Sequence, residues 1–343
     1  MKFIKWLLIV VATLLLGAIG YFIISSRLSM DSNFTHTAAT AELPLIGSYA
    51  GDGIVRIPVG AFEFRARVAG LDNEAGETVI LLHGFPVTSA MWEPLMQPLA
   101  DAGYRAIAFD QRGYSPGARP EEESAYATQA ITADVLDLAD AVEATQFHLI
   151  GHDWGAGIGW NTVINHPQRV LSWTGLSIAH PIAFTEALQN DPDQQSRSGY
   201  FALFATPGLP EVLFTFRDFK ALKAIFGPMP ETHLNEYLQV FAEPGALTAA
   251  LNWYRQMGES LLVPESPNPI IETPTLFIWG NNDPSAGRAA VEGQAQYMKG
   301  PYEFIELDGQ HWLMETHAKT IVPAVIKHLR RVTETLKESQ LAK

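Results

Sequence analysis

The chain has 343 residues, which suits about two compact units or one large α/β unit with an insertion. Apolar residues make up 47% and charged residues 17%, which excludes a disordered chain or a coiled coil and allows a large core. The 23 basic and 37 acidic residues give a net charge of −14, which disfavours binding to nucleic acid. There is no cysteine, which excludes disulfides, thiolate catalysis and cysteine-ligated metal.

The chain begins with a long apolar run, residues 6–24, that contains no charge. At about 1.5 Å per residue this run is close to the ~30 Å thickness of a bilayer core. Lys2 and Lys5 precede the run and only Arg27 closely follows it, so the positive-inside tendency leaves the N-terminus in the cytoplasm. The sequence therefore predicts a transmembrane signal-anchor in residues 1–27.

The predicted anchor determines the predicted location of the remaining chain. It lies outside the cytoplasm, on the periplasmic side if the source is bacterial. The alternative is a cleaved signal peptide and a secreted protein, although no small-residue cleavage site closely follows the run. Residues 28–45 are polar, rich in Ala and Thr and without a period, which predicts a linker.

Strand and helix patterns alternate from about residue 52 onward. Residues 54–68 indicate early strand pairing, and short, largely apolar runs at 78–82, 104–109 and 147–150 are typical of buried parallel strands. Residues 131–144 have apolar side chains at helical spacing. This alternation predicts a doubly wound, mostly parallel α/β sheet.

The alternation breaks after residue 181 and resumes at strands 275–279 and 302–307, followed by a helix from about residue 319. Residues 182–268 contain no clear buried strand, and their aromatic-rich helical stretches are broken by Pro and Gly. The prediction is one α/β domain, residues 46–181 and 269–343, with a helical cap, residues 182–268, inserted into it.

Asp153 is the candidate nucleophile. It lies at the centre of Gly-His-Asp-Trp-Gly-Ala-Gly, residues 151–157, directly after a predicted strand. Small residues on both sides suit the tight strand-to-helix turn of a nucleophile elbow, with Asp in place of Ser. The alternative is an Asp that only caps the helix. Ser115 lies in a similar motif, but Pro116 after it has no N–H for an oxyanion.

Two further strand ends complete a candidate triad. Asp283 follows strand 275–279 and His311 follows strand 302–307, in the expected order of nucleophile, acid and base. Asp283 would orient His311, which would act as the base. Asp308 is a weaker acid candidate, because it shares a loop with the base.

The N–H groups of Phe85 and Trp154 are the candidate oxyanion donors. Phe85 follows His83-Gly84 at the end of strand 78–82, and Trp154 follows the nucleophile. His152, His180 and His317 are interpreted as structural, and their spacing is not typical of a metal site, so we predict no metal and no cofactor.

These motifs resemble the α/β-hydrolase superfamily, and specifically its epoxide hydrolase branch. The resemblance covers about residues 46–335 and depends on His-Gly-Phe-Pro at 83–86, Asp-Gln-Arg-Gly-Tyr-Ser at 110–115, Gly-His-Asp-Trp-Gly-Ala at 151–156 and Gly-Gln-His-Trp at 309–312. Gln310, between Gly309 and His311, departs from the family's Gly-His-Trp and leaves open a changed base loop.

The resemblance implies two cap tyrosines that hydrogen-bond the epoxide oxygen. Residues 200–208 are similar to the family segment that carries the first, Tyr200, and residues 251–257 to the one that carries the second, Tyr254. Aromatic packing is the alternative for both, and Tyr237 lies near the first. The resemblance also implies a substrate pocket at His83, Pro86 and Trp253.

The implied activity is hydrolysis of a small hydrophobic epoxide with water to a vicinal diol, through an alkyl ester on Asp153. The main alternative is a haloalkane or haloacetate dehalogenase with the same triad. Phe85 cannot supply a halide donor, while Arg112 suits a bound carboxylate. A binding protein without turnover is the remaining alternative.

Overall fold

The computed structural model describes residue 17 and residues 42–49, 51–256 and 268–341. The predicted anchor, apart from residue 17, and most of the predicted linker lie outside these residues. Within the described ranges, no helix has the length and apolar composition needed to cross a bilayer. The end of the predicted linker already contacts the sheet, since the carbonyl of Pro44 accepts a hydrogen bond of 2.9 Å from the Arg56 amide.

The described residues form a mixed eight-stranded sheet with the order β1-β2-β4-β3-β5-β6-β7-β8. Its strands are β1 (Gly53–Val59), β2 (Phe62–Ala69), β3 (Thr78–Leu82), β4 (Arg105–Phe109), β5 (Phe147–His152), β6 (Val170–Leu176), β7 (Thr275–Gly280) and β8 (Tyr302–Leu307). β2 pairs antiparallel with β1 and β4, and the remaining pairs are parallel. This confirms the predicted mostly parallel sheet.

Helices cover both faces of the sheet and make up most of residues 181–256, which follow β6. They are α1 (Glu93–Asp101), α2 (Thr128–Ala141), α3 (Trp154–Asn165), α4 (Pro181–Asn190), α5 (Pro192–Arg197), α6 (Tyr200–Ala205), α7 (Leu209–Lys223), α8 (Glu231–Ala242), α9 (Ala246–Arg255), α10 (Arg288–Gly293) and α11 (Leu313–Leu341). Non-helical backbone interrupts α7 at residues 216–219.

The core consists of two apolar clusters, one on each face of the sheet. In β3, Val79 and Leu81 belong to the cluster with α1 and α11, while Ile80 and Leu82 belong to the cluster with α2 and α3. Successive side chains of a strand point to opposite faces, so a strand covered on both sides is apolar throughout. This explains the largely apolar runs in the sequence.

Strands β3 and β8 have the predicted bounds, but other elements differ. β6 and α1 were not predicted. α2 ends at Ala141, three residues before the predicted end, because Glu143 adopts a positive φ of 59° that an α-helix cannot continue through. α11 begins at Leu313, ahead of the predicted residue 319.

Residues 181–256, between β6 and β7, are helical over most of their length. The predicted boundary at residue 268 adjoins residues 257–267, which are not described, so that boundary stays a prediction. A buried ionic cluster joins the cap to the sheet: Glu236 on α8 accepts hydrogen bonds from Arg65 at 3.1 Å and from Arg67 at 2.9 Å, both on β2. Arg65 also pairs with Asp110 at 2.6 Å.

The predicted site residues of the sheet lie at one of its edges. Phe85 follows β3, Asp153 follows β5, Asp283 follows β7 and His311 follows β8. Parallel strands bring these four carboxyl ends together, which is where open α/β sheets form their sites.

Candidate active site

Asp153 occupies a tight turn between β5 and α3. Its φ of 54° and ψ of −120° are unusual for a residue with a side chain. A Cβ on Gly151 would lie 2.3 Å from the Gly155 carbonyl oxygen, and one on Gly155 would lie 2.1 Å from that of Leu82. Both positions therefore require glycine, and the turn presents the Asp153 carboxylate at the end of the sheet.

Backbone N–H groups hold this carboxylate. The Phe85 N–H donates to Asp153 Oδ1 at 2.9 Å, and the Trp154 N–H also donates to the carboxylate. A Cβ on Gly84 would lie 2.3 Å from the same Oδ1, so only glycine allows this approach. Burial raises the pKa of Asp153, but His311, and then His152 and the Trp154 N–H, outweigh burial, and the net pKa is lowered. The group is an anion at neutral pH.

His311 lies between two carboxylates. Its Nδ1 is 2.9 Å from Asp283 Oδ2, and its Nε2 is 3.5 Å from Asp153 Oδ2. Burial lowers the pKa of His311, but Asp283 and then Asp153 outweigh it and raise the pKa to about 10. Gln310, the extra residue between Gly309 and His311, is exposed. The contact between His311 and Asp283 is present despite it.

The loop of residues 283–287, which we call the acid loop, fixes Asp283. The Asp283 side chain is fully buried, and its Oδ1 accepts the N–H groups of Ser285 at 2.7 Å and Ala286 at 3.2 Å. Burial raises the pKa of Asp283, but His311 and these amides lower it more, so the net pKa lies below its ordinary value. Asp308, the weaker candidate, instead accepts a hydrogen bond from Asn282 at 3.0 Å.

Tyr200 and Tyr254 lie above the carboxylate on separate cap helices, α6 and α9. Their ring centroids are 6.2 Å apart, and the Tyr254 ring lies 4.9 Å from that of Trp154. Burial, and then nearby charges including Asp153, raises the pKa of both phenols above its ordinary value. Both are therefore neutral hydrogen-bond donors at physiological pH.

A cavity of about 290 Å³ brings these groups together. Its lining residues are Phe85, Asp153, Tyr200, Phe204, Ile225, Tyr254, Pro284, Ser285, His311 and Trp312. Ile225 and Ser285 were not singled out by the sequence. Ile225 follows the interrupted helix α7 and has no motif, while the only signal for Ser285 was its place two residues after the candidate acid.

The three residues implied for the substrate pocket do not belong to this lining among the described residues. His83 is fully buried; its Nδ1 bonds to the Gly84 carbonyl at 2.9 Å and its Nε2 accepts the Gln111 N–H at 3.0 Å. The Trp253 indole donates to the Arg112 carbonyl at 2.8 Å. Pro86 forms a cis peptide with Phe85, which does line the cavity. They support the wall of the cavity.

Other candidates also have structural contacts. Ser115 is fully buried, and its Oγ accepts the Arg65 N–H at 2.7 Å. Tyr237 donates to Glu315 at 3.1 Å. His152 donates to the His311 carbonyl at 2.9 Å, and burial and then His311 lower its pKa to about 4, so it is a neutral support.

The remaining predicted absences concern metal and cofactor. Within residues 42–49, 51–256 and 268–341, no group of three or more His, Asp or Glu side chains could hold a metal ion. His180 bonds to the Pro269 carbonyl at 3.0 Å and His317 to Thr316 at 2.8 Å. The absence of a cofactor stays a prediction.

Comparison with known proteins gives consistent similarities. A family model described as the alpha/beta hydrolase fold matches residues 77–222. Epoxide hydrolase 4 of Mus musculus is 31% identical over 285 residues, which span 79% of this chain and 77% of that protein. Epoxide hydrolase A of Mycobacterium tuberculosis is 30% identical over 308 residues, spanning 77% and 94%. The solved structure of Bacillus megaterium epoxide hydrolase with an inhibitor has a TM-score of 0.72 at 23% identity and covers 80% of this chain and 99% of that chain. This similarity shows the fold.

Proposed function

Because the chain belongs to the epoxide hydrolase branch of the α/β-hydrolase superfamily, we propose that it adds water to an epoxide, through an ester on Asp153, to give a vicinal diol. The observation that carries this proposal is the lining of the cavity. One held carboxylate, Asp153, shares it with two neutral phenols, Tyr200 and Tyr254. A carboxylate that can attack a ring carbon, facing phenols that can protonate the ring oxygen, is suited to opening an epoxide.

The first step is ring opening. Asp153 Oδ1 is occupied by the Phe85 N–H, so Oδ2 is the oxygen that attacks an epoxide carbon. The C–O bond of the ring breaks, and Tyr200 and Tyr254 donate hydrogen bonds and one proton to the departing alkoxide. A carboxylate needs no base for alkylation, which is why Asp suits this step and Ser suits acylation.

The second step is hydrolysis of the ester. Once Asp153 is an ester it carries no charge, so one of the two carboxylates that raise the pKa of His311 is gone. The imidazole then loses its proton more readily, and that proton restores the phenol that was deprotonated in ring opening. The neutral imidazole accepts a proton from the attacking water, while Asp283 holds its Nδ1–H. When the tetrahedral intermediate collapses, the bond between the carbonyl carbon and the substrate oxygen breaks, and His311 returns the proton to that oxygen of the diol. The Phe85 and Trp154 N–H groups stabilise the oxyanion that forms at the ester carbonyl.

Two observations disfavour dehalogenation. Phe85 presents a ring to the cavity, which offers no hydrogen bond to a halide. The Arg112 guanidinium, which a haloacetate would need, instead pairs with Asp134 at 2.6 Å and 2.7 Å. The apolar lining of the cavity suits a hydrophobic epoxide.

The test uses the purified full-length chain with styrene oxide and, separately, 1-bromobutane. We expect diol from the first and no halide release from the second. In a single turnover in water labelled with heavy oxygen, the label should enter the protein carboxylate and not the diol. Halide release without diol would refute the activity, and label in the diol would refute the ester.

We also propose that residues 6–24 anchor the chain in a membrane, with residues 46–343 outside the cytoplasm as core and inserted cap. The support is the uncharged apolar run and its flanking charges. Full-length protein should resist extraction from membranes at alkaline pH, and Leu14→Arg with Leu15→Arg should release it, since each central Arg costs roughly 2.5–3.5 kcal/mol. A shortened mature N-terminus found by mass spectrometry would instead indicate the secreted form.

A further inference from the structure

Gln194 on α5 is a fully buried amide that spans two parts of the active site. Its Nε2 donates to the Ser285 carbonyl at 2.9 Å and to Ser198 Oγ at 3.0 Å. Its Oε1 accepts the Gly287 N–H at 2.7 Å. The side chain is thus hydrogen-bonded at both ends, and two of its bonds are to the backbone of the acid loop.

The acid loop depends on this helix for its backbone hydrogen bonds. Buried carbonyl and N–H groups must find partners, and in this loop several partners come from the cap. Gln194 binds the Ser285 carbonyl and the Gly287 N–H, and Arg197, also on α5, donates to the Asp283 carbonyl. Trp279 binds the Ala286 carbonyl from the sheet at 3.1 Å.

The same helix leads directly to the first proton donor. Tyr200 begins α6 only six residues after Gln194, and Ser198, between them, is bonded to the Gln194 side chain. On the other side, Ser285 contacts both residues. Its N–H donates to the Asp283 carboxylate, and its carbonyl accepts a hydrogen bond from Gln194. A displacement at Gln194 therefore reaches Tyr200 and Asp283 together.

We propose that Gln194 is a positioning residue that ties the Tyr200 helix to the acid loop, so that the proton donor of ring opening and the partner of the hydrolytic base keep one relative placement. This inference rests on the proposed epoxide hydrolysis for its kinetic consequences. Its structural consequence, the placement of Asp283 against His311, does not.

The test compares Gln194→Leu with Gln195→Leu, an exposed neighbour on the same helix. Rapid mixing and intact mass measurement follow formation and decay of the alkyl-enzyme with styrene oxide. We expect Gln194→Leu to slow both steps on the order of 10-fold each, because small misplacements of reacting groups cost that much or more. Gln195→Leu should keep both rates.

A second readout needs no turnover. The proton between His311 Nδ1 and Asp283 should give a downfield NMR signal in the wild type. We expect this signal to shift or broaden in Gln194→Leu and to stay unchanged in Gln195→Leu. If wild-type protein forms no diol, the proposed function fails. The NMR signal still tests whether Gln194 positions the acid loop.

Three results would overturn the proposal: wild-type rates and signal in a folded Gln194→Leu, an effect on only one chemical step, or an equal effect in Gln195→Leu. If Gln194→Leu does not fold, Gln194→Glu decides. It keeps the acceptor for Gly287 and loses the donor to Ser285, so both steps should still slow, and unchanged rates would refute the tie.

Discussion

The two ends of β5 carry similar groups with different consequences. At its carboxyl end, Asp153 faces His311, which is paired with Asp283. At its amino end, His148 lies 2.7 Å from Ser172 Oγ and 3.1 Å from Glu77 Oε2, a carboxylate, an imidazole and a hydroxyl in hydrogen-bonded order. Residue types and distances alone would make both ends candidate sites.

Backbone and access separate the two ends. Ser172 stands opposite His148 within the pairing of β5 with β6, directly after a register shift between Phe147 and His148, and both side chains are fully buried. The nearby cleft of about 390 Å³ is lined by Glu77 and Tyr104 but, among the described residues, by neither His148 nor Ser172. Asp153, by contrast, leaves the strand in a strained turn, meets two N–H groups and borders a cavity. A nucleophile therefore requires a turn and a space as well as partners.

The largest expected effect lies at the carboxyl end. Asp153→Ala should lower turnover of styrene oxide roughly 10⁴-fold or more, because no ester can form. Steady-state diol formation measures this, with Ser172→Ala as the matched change at the other end. Substantial activity in Asp153→Ala would remove the distinction between the two ends.

The next effect tests the cap above that end. Tyr254→Phe removes a proton donor and should slow ring opening by about 10²–10⁴-fold, with little change in circular dichroism. Tyr237→Phe is the control, since that buried hydroxyl is bonded to Glu315 outside the cavity lining. Equal losses in both variants would point to cap packing as the cause.

The charge of Asp153 should be visible in the pH dependence of stability. A histidine whose pKa is raised from 6.5 to about 10 contributes stability that is fully present below pH 6.5 and lost as the pH rises through about 10. Asp153→Asn removes one of the carboxylates that raise this pKa, so its Tm should fall less than that of wild type over this interval. Calorimetry of both proteins, with deamidation excluded by mass, makes the comparison. Parallel curves would refute the electrostatic coupling.

The smallest effect on catalysis is expected at the amino end. Ser172→Ala leaves the buried Nδ1 of His148 without its hydrogen-bond partner, while Nε2 keeps Glu77, and should lower the free energy of unfolding by about 1–3 kcal/mol, measured in urea. Its kcat for the epoxide should match wild type. A loss of kcat in a stable variant would show that the two ends of β5 are coupled.

Much of the sheet was predictable because both of its faces are covered. The run at β3, buried at every position, shows this most clearly, and its predicted bounds are those of the structure. β8, the last strand in the sheet order, is only partly buried and contains Glu303 and Glu306, yet its predicted bounds also agree with the structure. β6 escaped prediction because Ser172, Thr174 and Gly175 dilute its apolar pattern, although all three are buried. Sequence periodicity cannot show that a hydroxyl has found a partner on the neighbouring strand.

The amino-acid sequence was enough to identify Asp153 as the candidate nucleophile, to place it before Asp283 and His311 in the chain, and to locate the glycines that the turn needs, because these features depend on local backbone sterics and on strand ends. Only the tertiary structure decided which aromatic side chains border the cavity, that Arg112 is already paired, and that Gln194 holds the acid loop. Such contacts join residues far apart in the chain, and no local pattern records which buried polar group will satisfy another.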